Sequence, residues 1–174
     1  MNTANKITLF RVVLIPVFVA LCYAEGAWSR WAALVVFLLA SLSDFADGYI
    51  ARHYNQVTDF GKFLDPIADK LLVTSAMLLF VEQGRMPAWV LLIVIGREFA
   101  VSALRLVAVD NGRVIAAGWS GKVKTAATMV VICVMLVFAG PVLDMVGNGV
   151  ILLTTVYSGV EYFAKNKDVV NTNK

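Results

Sequence analysis

Residues 44–69 read DFADGYIARHYNQVTDFGKFLDPIAD, and this stretch straddles the junction of two strongly apolar runs. Asp44, Asp47, Gly48, Ala51 and Arg52 fall in its first half, and Gly61, Asp65 and Asp69 in its second. On insertion scales each Asp near the centre of a membrane helix costs roughly 2.5 to 3.5 kcal/mol, less towards the interface. Four carboxylates kept there imply cations held in return. Residues three, four and seven apart share a helix face, so Asp44, Asp47, Gly48 and Ala51 form one stripe and Gly61, Asp65 and Asp69 a second. If the two helices pack antiparallel across a short turn from His53 to Phe60, the stripes meet.

Working outward, 60% of the 174 residues are apolar and only 16% are charged, which is not the balance of a soluble globule. Apolar runs recur at about 7–23, 28–50, 65–81, 89–109, 123–138 and 146–163. Counted with its flanks, each can cross a hydrocarbon core about 30 Å thick. The breaks carry Glu25-Gly26, Gly84 with Pro87, Gly112 with Gly118 and Gly121, and Gly140-Pro141, all turn signals. The expected fold is all-α: a polytopic membrane protein of six transmembrane helices forming one domain over residues 1–174, with a polar cavity open to the cytoplasm. A cleaved signal peptide is the competing reading of the first run. Arg11 and Pro16 interrupt that run, no small-x-small site follows, and removal would leave five spans.

With both termini inside, the cytoplasmic set is Lys6, Arg11, Arg52, Lys62, Lys70, Arg97, Arg105, Arg113, Lys122, Lys124, Lys165, Lys167 and Lys174. Only Arg30 and Arg85 remain outside, an asymmetry that fixes the orientation and favours an even number of spans. The aspartate cluster then faces the cytoplasm. A net charge of +3 without any long basic run excludes nucleic acid as a partner and suits a surface beside anionic membrane lipids. Trp28, Trp31, Trp89 and Trp119 read as interfacial anchors. Cys22 and Cys133 read as buried small side chains without metal-type spacing.

Converging carboxylates are hard oxygen ligands, which select Mg²⁺, Mn²⁺ or Ca²⁺ over zinc, and the chain has a single histidine. Asp44, Asp47, Asp65 and Asp69 match the charge of two divalent ions, a common clamp for displacement at phosphorus. Gly48 and Ala51 leave room for a ligand to approach the backbone, and Arg52 offers a fork for phosphate oxygens. Asp69, last in the series, is the candidate general base. Arg97 and Arg105 lie eight residues apart, about 80 degrees on a helical wheel, and Lys122 and Lys124 open the next segment from the same side. Such donors suit a phosphate monoester. Positive-inside anchoring is the alternative for the lysines, and an ion pair with Glu98 is the alternative for Arg97.

The pattern D-x-x-D-G-x-x-A-R-x8-G-x3-D-x3-D resembles the signature of the CDP-alcohol phosphatidyltransferase family at all eight specified positions. The resemblance implies a six-helix membrane fold that transfers a phosphatidyl group from a CDP-linked lipid to an alcohol, releasing CMP, with Mg²⁺ or Mn²⁺. Carried over, Asp44, Asp47 and Asp65 bind metal, Asp69 is the base, and Gly48, Ala51, Arg52 and Gly61 line the nucleotide site.

Further blocks narrow the acceptor. Asn5 to Arg11 with Ile15-Pro16, Phe63 to Lys70, Arg97-Glu98 with Ser102 to Arg105, and Gly121 to Thr125 resemble the bacterial branch that uses sn-glycerol 3-phosphate. That branch implies CDP-diacylglycerol as donor, a place in the bacterial cytoplasmic membrane, and nucleotide contacts from Asn5 and Thr8, whose competing reading is a helix cap. Members of the family are often dimeric, so a homodimer is an expected assembly, although no seam in the sequence marks it. Serine, inositol phosphate and phosphatidylglycerol are the rival acceptors. A divalent-cation transporter is the rival class, but it predicts acids at the bilayer middle with a route to both sides.

Overall fold

The computed structural model describes the backbone of residues 3–53, 59–116 and 118–170, and the side chains of 7–26, 28–43, 67–68, 70–116 and 118–169. Among the described residues the fold is all-helical, without strands: α1 (Thr3–Tyr23), α2 (Ala27–His53), α3 (Asp59–Glu82), α4 (Ala88–Asp110), α5 (Trp119–Val137), α6 (Pro141–Lys165) and the short α7 (Lys167–Val170). Each apolar run of the sequence is a helix. By length and composition α5 and α6 can cross a membrane, and α1 and α2 carry shorter apolar stretches, Ile7–Tyr23 and Trp28–Ser43. In α4 the apolar sequence is interrupted by Arg97, Glu98 and Arg105.

The expected breaks hold where a left-handed residue is needed. Gly26, Gly84 and Gly112 have φ of 116, 70 and 73°. At Gly112 the reason is visible, because the Arg113 amide donates to the Ala108 carbonyl at 2.8 Å and the Gly112 amide to Val109 at 2.9 Å. That pair of bonds closes α4 and needs positive φ at the intervening residue, which only glycine adopts without cost. Pro141 opens α6 at a position where its missing N–H is no loss. Two expectations are corrected. His53 and Phe60 are not in a turn but in the last turn of α2 and the first turn of α3, and Gly121 lies inside α5. Thr8 likewise sits well inside α1, so neither it nor Asn5 is a helix cap.

The chain forms two compact units, Met1–Glu82 with Leu136–Phe138, and Gln83–Met135 with Ala139–Lys174. In the first, Thr8, Arg11, Ile15 and Phe18 form the buried stripe of α1 and Ser29, Ala33, Phe37 and Ala40 that of α2, each at spacings of three or four. The Phe18 and Phe37 rings meet at 5.6 Å between centroids, tilted by 50°. Ala68, Leu72 and Ala76 give α3 its buried stripe. In the second unit, Val101, Leu104 and Ala108 of α4 pack with Tyr162 of α6 and Val169 of α7. Arg113 donates to Asp168, and its guanidinium holds that carboxyl below the usual aspartate range, tying the α4–α5 loop to the segment after α6.

The exterior is apolar as well as the core, unlike that of a water-soluble fold. Leu92, Phe99 and Leu106, on one face of α4, are 70%, 67% and 72% exposed, and α6 exposes Val142, Val146, Leu153 and Val160. Buried beside the apolar core are Arg11, Lys124, Thr128, Thr155 and Ser158. An apolar exterior of this extent marks contact with lipid or a partner. The tryptophans agree with an anchoring role: Trp28, Trp31, Trp89 and Trp119 begin their helices and are all exposed. Both cysteines are free and half-buried.

Two side chains of α5 lie against Gly147 of α6. A Cβ there would lie 2.9 Å from Val131 Cγ1 and 3.1 Å from Met135 Sδ, both on α5. Val131 is stiff at χ1 and cannot turn away freely. Gly147→Leu is therefore expected to cost about 1 to 3 kcal/mol or more through overpacking, beyond any gain in helix propensity. Thermal denaturation in detergent should show a lowered midpoint; a midpoint at or above wild type would mean that α5 and α6 can separate without loss.

Candidate active site

The signature motif is carried by two helices of the first unit. Asp44, Asp47, Gly48, Ala51 and Arg52 occupy the C-terminal part of α2, and Gly61, Asp65 and Asp69 the N-terminal part of α3. The backbone is helical through both sets, so the three- and four-residue spacings act as helical spacings. Helices α2 and α3 also contact one another. The side chains of residues 44–66 and of Asp69 lie outside the described residues, as does that of Asn5. Among the described residues no three His, Cys, Asp or Glu side chains gather as metal ligands, and the four motif aspartates are not among those.

Two buried polar residues lead from the α1 core towards this motif. Thr8 is 1% exposed and Arg11 fully buried, and Arg11 Nε reaches Ser43 Oγ at 3.4 Å, next to Asp44 in the chain. A buried arginine demands compensation, and its place on the stripe above Phe18 brings positive charge into the unit that carries the acidic motif.

The basic residues expected at the acceptor belong to the second unit, and two of the four come together. Arg97 Nη1 donates to Glu98 Oε1 at 2.9 Å, and Lys124 Nζ of α5 donates to the same oxygen at 2.8 Å. These side chains are 13% and 7% exposed, against 25% for Glu98. The ion pair with Glu98 that competed for Arg97 is therefore present, with Lys124 as a third member. Arg105 stands apart: its Nε donates to Tyr162 Oη at 3.0 Å, and its guanidinium lies 5.5 Å from that ring's centroid. Lys122 is exposed.

The surroundings of Arg97 are shaped for it. A Cβ on Gly159 of α6 would lie 3.2 Å from Arg97 Cγ, and one on Gly121 of α5 would lie 3.7 Å from Arg97 Nη2. Gly159 thus leaves space where the stem of the arginine passes, while a Cβ on Gly121 would make only ordinary contact with its guanidinium. Arg97 Nε, Thr128 Oγ1 and Thr155 Oγ1 are buried without hydrogen-bond partners.

Sequence reasoning missed the Tyr162 contact and the clip that closes the α3–α4 loop. Arg85 donates through Nε and Nη2 to both oxygens of Asp144 at 2.7 to 3.2 Å and through Nη1 to the Met135 carbonyl at 2.6 Å. Asp144 lies in the first turn of α6, where a carboxylate also meets the helix dipole favourably. A cavity of about 830 Å³ adjoins this clip, lined among others by Trp89, Pro141 and Leu152, and none of the predicted site residues with described side chains is among its lining.

A helical protein with apolar outer faces, buried charges and an acidic motif at paired helix ends belongs to the class of membrane proteins. Within that class the chain belongs to the CDP-alcohol phosphatidyltransferase family, which it matches over residues 1–160. It is 41% identical over 191 residues to the CDP-diacylglycerol–glycerol-3-phosphate 3-phosphatidyltransferase of Bacillus subtilis (strain 168), covering 99% of this chain and 98% of that protein. The protein of the same name from Escherichia coli (strain K12) is 45% identical over 140 residues, 78% of this chain and 76% of its own.

Proposed function

We propose that the protein transfers the phosphatidyl group of CDP-diacylglycerol to sn-glycerol 3-phosphate, giving phosphatidylglycerol phosphate and CMP. The observation that carries this reading is the intact eight-position motif on α2 and α3, in a chain similar along almost its whole length to a transferase named for that reaction. Because the family match runs through both compact units, they are read as one catalytic domain over residues 1–174. The basic residues lie almost all on one side of a six-span topology, which supports a bacterial cytoplasmic membrane, both termini inside and a site opening to the cytoplasm.

The donor chemistry of the motif fits Mg²⁺ or Mn²⁺, since four aspartates supply hard, anionic oxygens and no histidine or cysteine. Asp44, Asp47, Asp65 and Asp69 would hold the metal, as two ions by charge balance. Bound there, it supplies charge stabilisation for the pyrophosphate and for the departing CMP. Gly48, Ala51, Arg52 and Gly61, with Asn5 and Thr8 of α1, hold the nucleotide. Asp69 takes the proton from the C1 hydroxyl of the acceptor as its oxygen bonds to the phosphorus bearing the diacylglycerol; the bond from that phosphorus to CMP breaks. Arg97 and Lys124 hold the acceptor's phosphate, with Arg105 and Lys122 as further cationic groups. The lipid tails stay in the bilayer throughout, so a site at the membrane interface is what the two soluble species require.

The test is CMP release by purified protein in detergent, with CDP-diacylglycerol and Mg²⁺, comparing glycerol 3-phosphate with serine, inositol and inositol 1-phosphate. Release with glycerol 3-phosphate alone, abolished by EDTA, is the expected result. Release with another alcohol would keep the reaction class and overturn the acceptor.

A further inference from the structure

We propose that Glu98 is an internal stand-in for the acceptor's phosphate, an anion that holds Arg97 and Lys124 in place until the phosphate monoester displaces it. The proposal rests on the reading of glycerol 3-phosphate as acceptor and adds a residue that sets how tightly that acceptor binds.

Three observations support it. Both cations end on one oxygen, Glu98 Oε1, so a single anionic atom now does what a phosphate oxygen would do. Among the three side chains Glu98 is the most exposed, so the carboxylate is the member with a way out to water, while the two cations are held by their surroundings. The cationic side also keeps open valences. Arg97 Nε is buried without a partner, and the missing side chain of Gly121 leaves space beside Nη2. One turn further along α5 from Lys124, Thr128 Oγ1 is likewise buried and unpartnered. Unsatisfied buried donors are costly, and a ligand with several acceptor oxygens relieves that cost where one carboxylate oxygen does not.

Charge arithmetic sets the direction of the effect. Two cations and one carboxylate leave one net positive charge, whereas a phosphate monoester brings about −1.5 to −2. With Glu98 present the acceptor must displace a bound anion and then tolerate it nearby; without Glu98 the phosphate neutralises the pair directly. The carboxylate thus weakens acceptor binding while keeping two buried like charges together when the acceptor is absent.

The experiment compares wild type with Glu98→Gln by steady-state CMP release over a range of glycerol 3-phosphate, and by the thermal shift that glycerol 3-phosphate or inorganic phosphate produces. For Glu98→Gln the KM for glycerol 3-phosphate should fall about fivefold or more, the lower edge of typical coupling between sites. Its melting midpoint should rise more on anion addition than that of wild type. A KM equal to or above wild type in a folded variant, with equal thermal shifts, overturns the proposal. Should Glu98→Gln not fold, Glu98→Asp keeps the charge on a shorter stem that cannot grip both cations as well; its KM should fall in the same direction by less, and an unchanged or raised value is again contrary. Failure of wild type to use glycerol 3-phosphate would sink the acceptor assignment itself, a result distinct from an active wild type with an unaltered Glu98→Gln.

Discussion

Asp69→Asn is expected to release CMP about 10² to 10⁴ times more slowly than wild type while still binding CDP-diacylglycerol in the presence of Mg²⁺. The substitution keeps the side chain's shape and its place on α3, so the helix and its contacts with α1 and α2 should persist. What it removes is a group able to take a proton. The remaining carboxylates, Asp44, Asp47 and Asp65, leave most of the metal-holding charge intact, whereas an amide in the base position cannot relieve the acceptor hydroxyl of its hydrogen as the new bond forms. Single-turnover CMP release together with Mg²⁺-dependent donor binding separates the two roles. Donor binding lost in parallel with turnover would make metal holding the main role of Asp69 and leave the base to be found elsewhere.

The helices were legible because long apolar runs must satisfy their backbone polar groups away from water, and each of the six runs lies in a helix. Their ends were less legible, for a physical reason. Hydropathy marks where side chains prefer lipid, whereas a helix continues wherever backbone bonds can close, so α3 begins at Asp59 in a polar stretch and α5 at Trp119, before its apolar run. Gly121 looked like punctuation and instead lies within α5, facing Arg97. Of the site, the residue spacing of the motif was fully readable, since it depends only on local helical geometry. The partners of the basic residues were not, because Lys124 meets Glu98 across 26 residues and Arg105 meets Tyr162 across 57. One signal was available: Lys124 and Thr128 recur four apart inside an apolar helix, as polar residues do when they face a protein interior rather than lipid.

Arg97→Met should lower kcat/KM for glycerol 3-phosphate by about 30- to 4,000-fold, the range that corresponds to the 2 to 5 kcal/mol lost when one partner of a buried, hydrogen-bonded charge pair is truncated. Methionine fills much of the same channel between Gly121 and Gly159, so the packing of α4 against α6 should survive and the loss should fall on charge and hydrogen bonding. Glu98 then retains only Lys124, and the balance of the cluster moves from one net positive charge to zero, which removes the attraction for an incoming phosphate. The loss should therefore appear as a raised KM for glycerol 3-phosphate with the KM for CDP-diacylglycerol little changed, because Arg97 is assigned to the acceptor and the α2–α3 motif to the donor. A uniform fall in both would mean that Arg97 holds the helices rather than the acceptor. Arg97→Lys divides the effect further: a point charge on a flexible stem can still attract the phosphate but cannot offer the planar fork, so its KM should lie between wild type and Arg97→Met. If lysine performed as well as arginine, net charge alone would account for acceptor binding, and the planar fork of the guanidinium would add nothing to it.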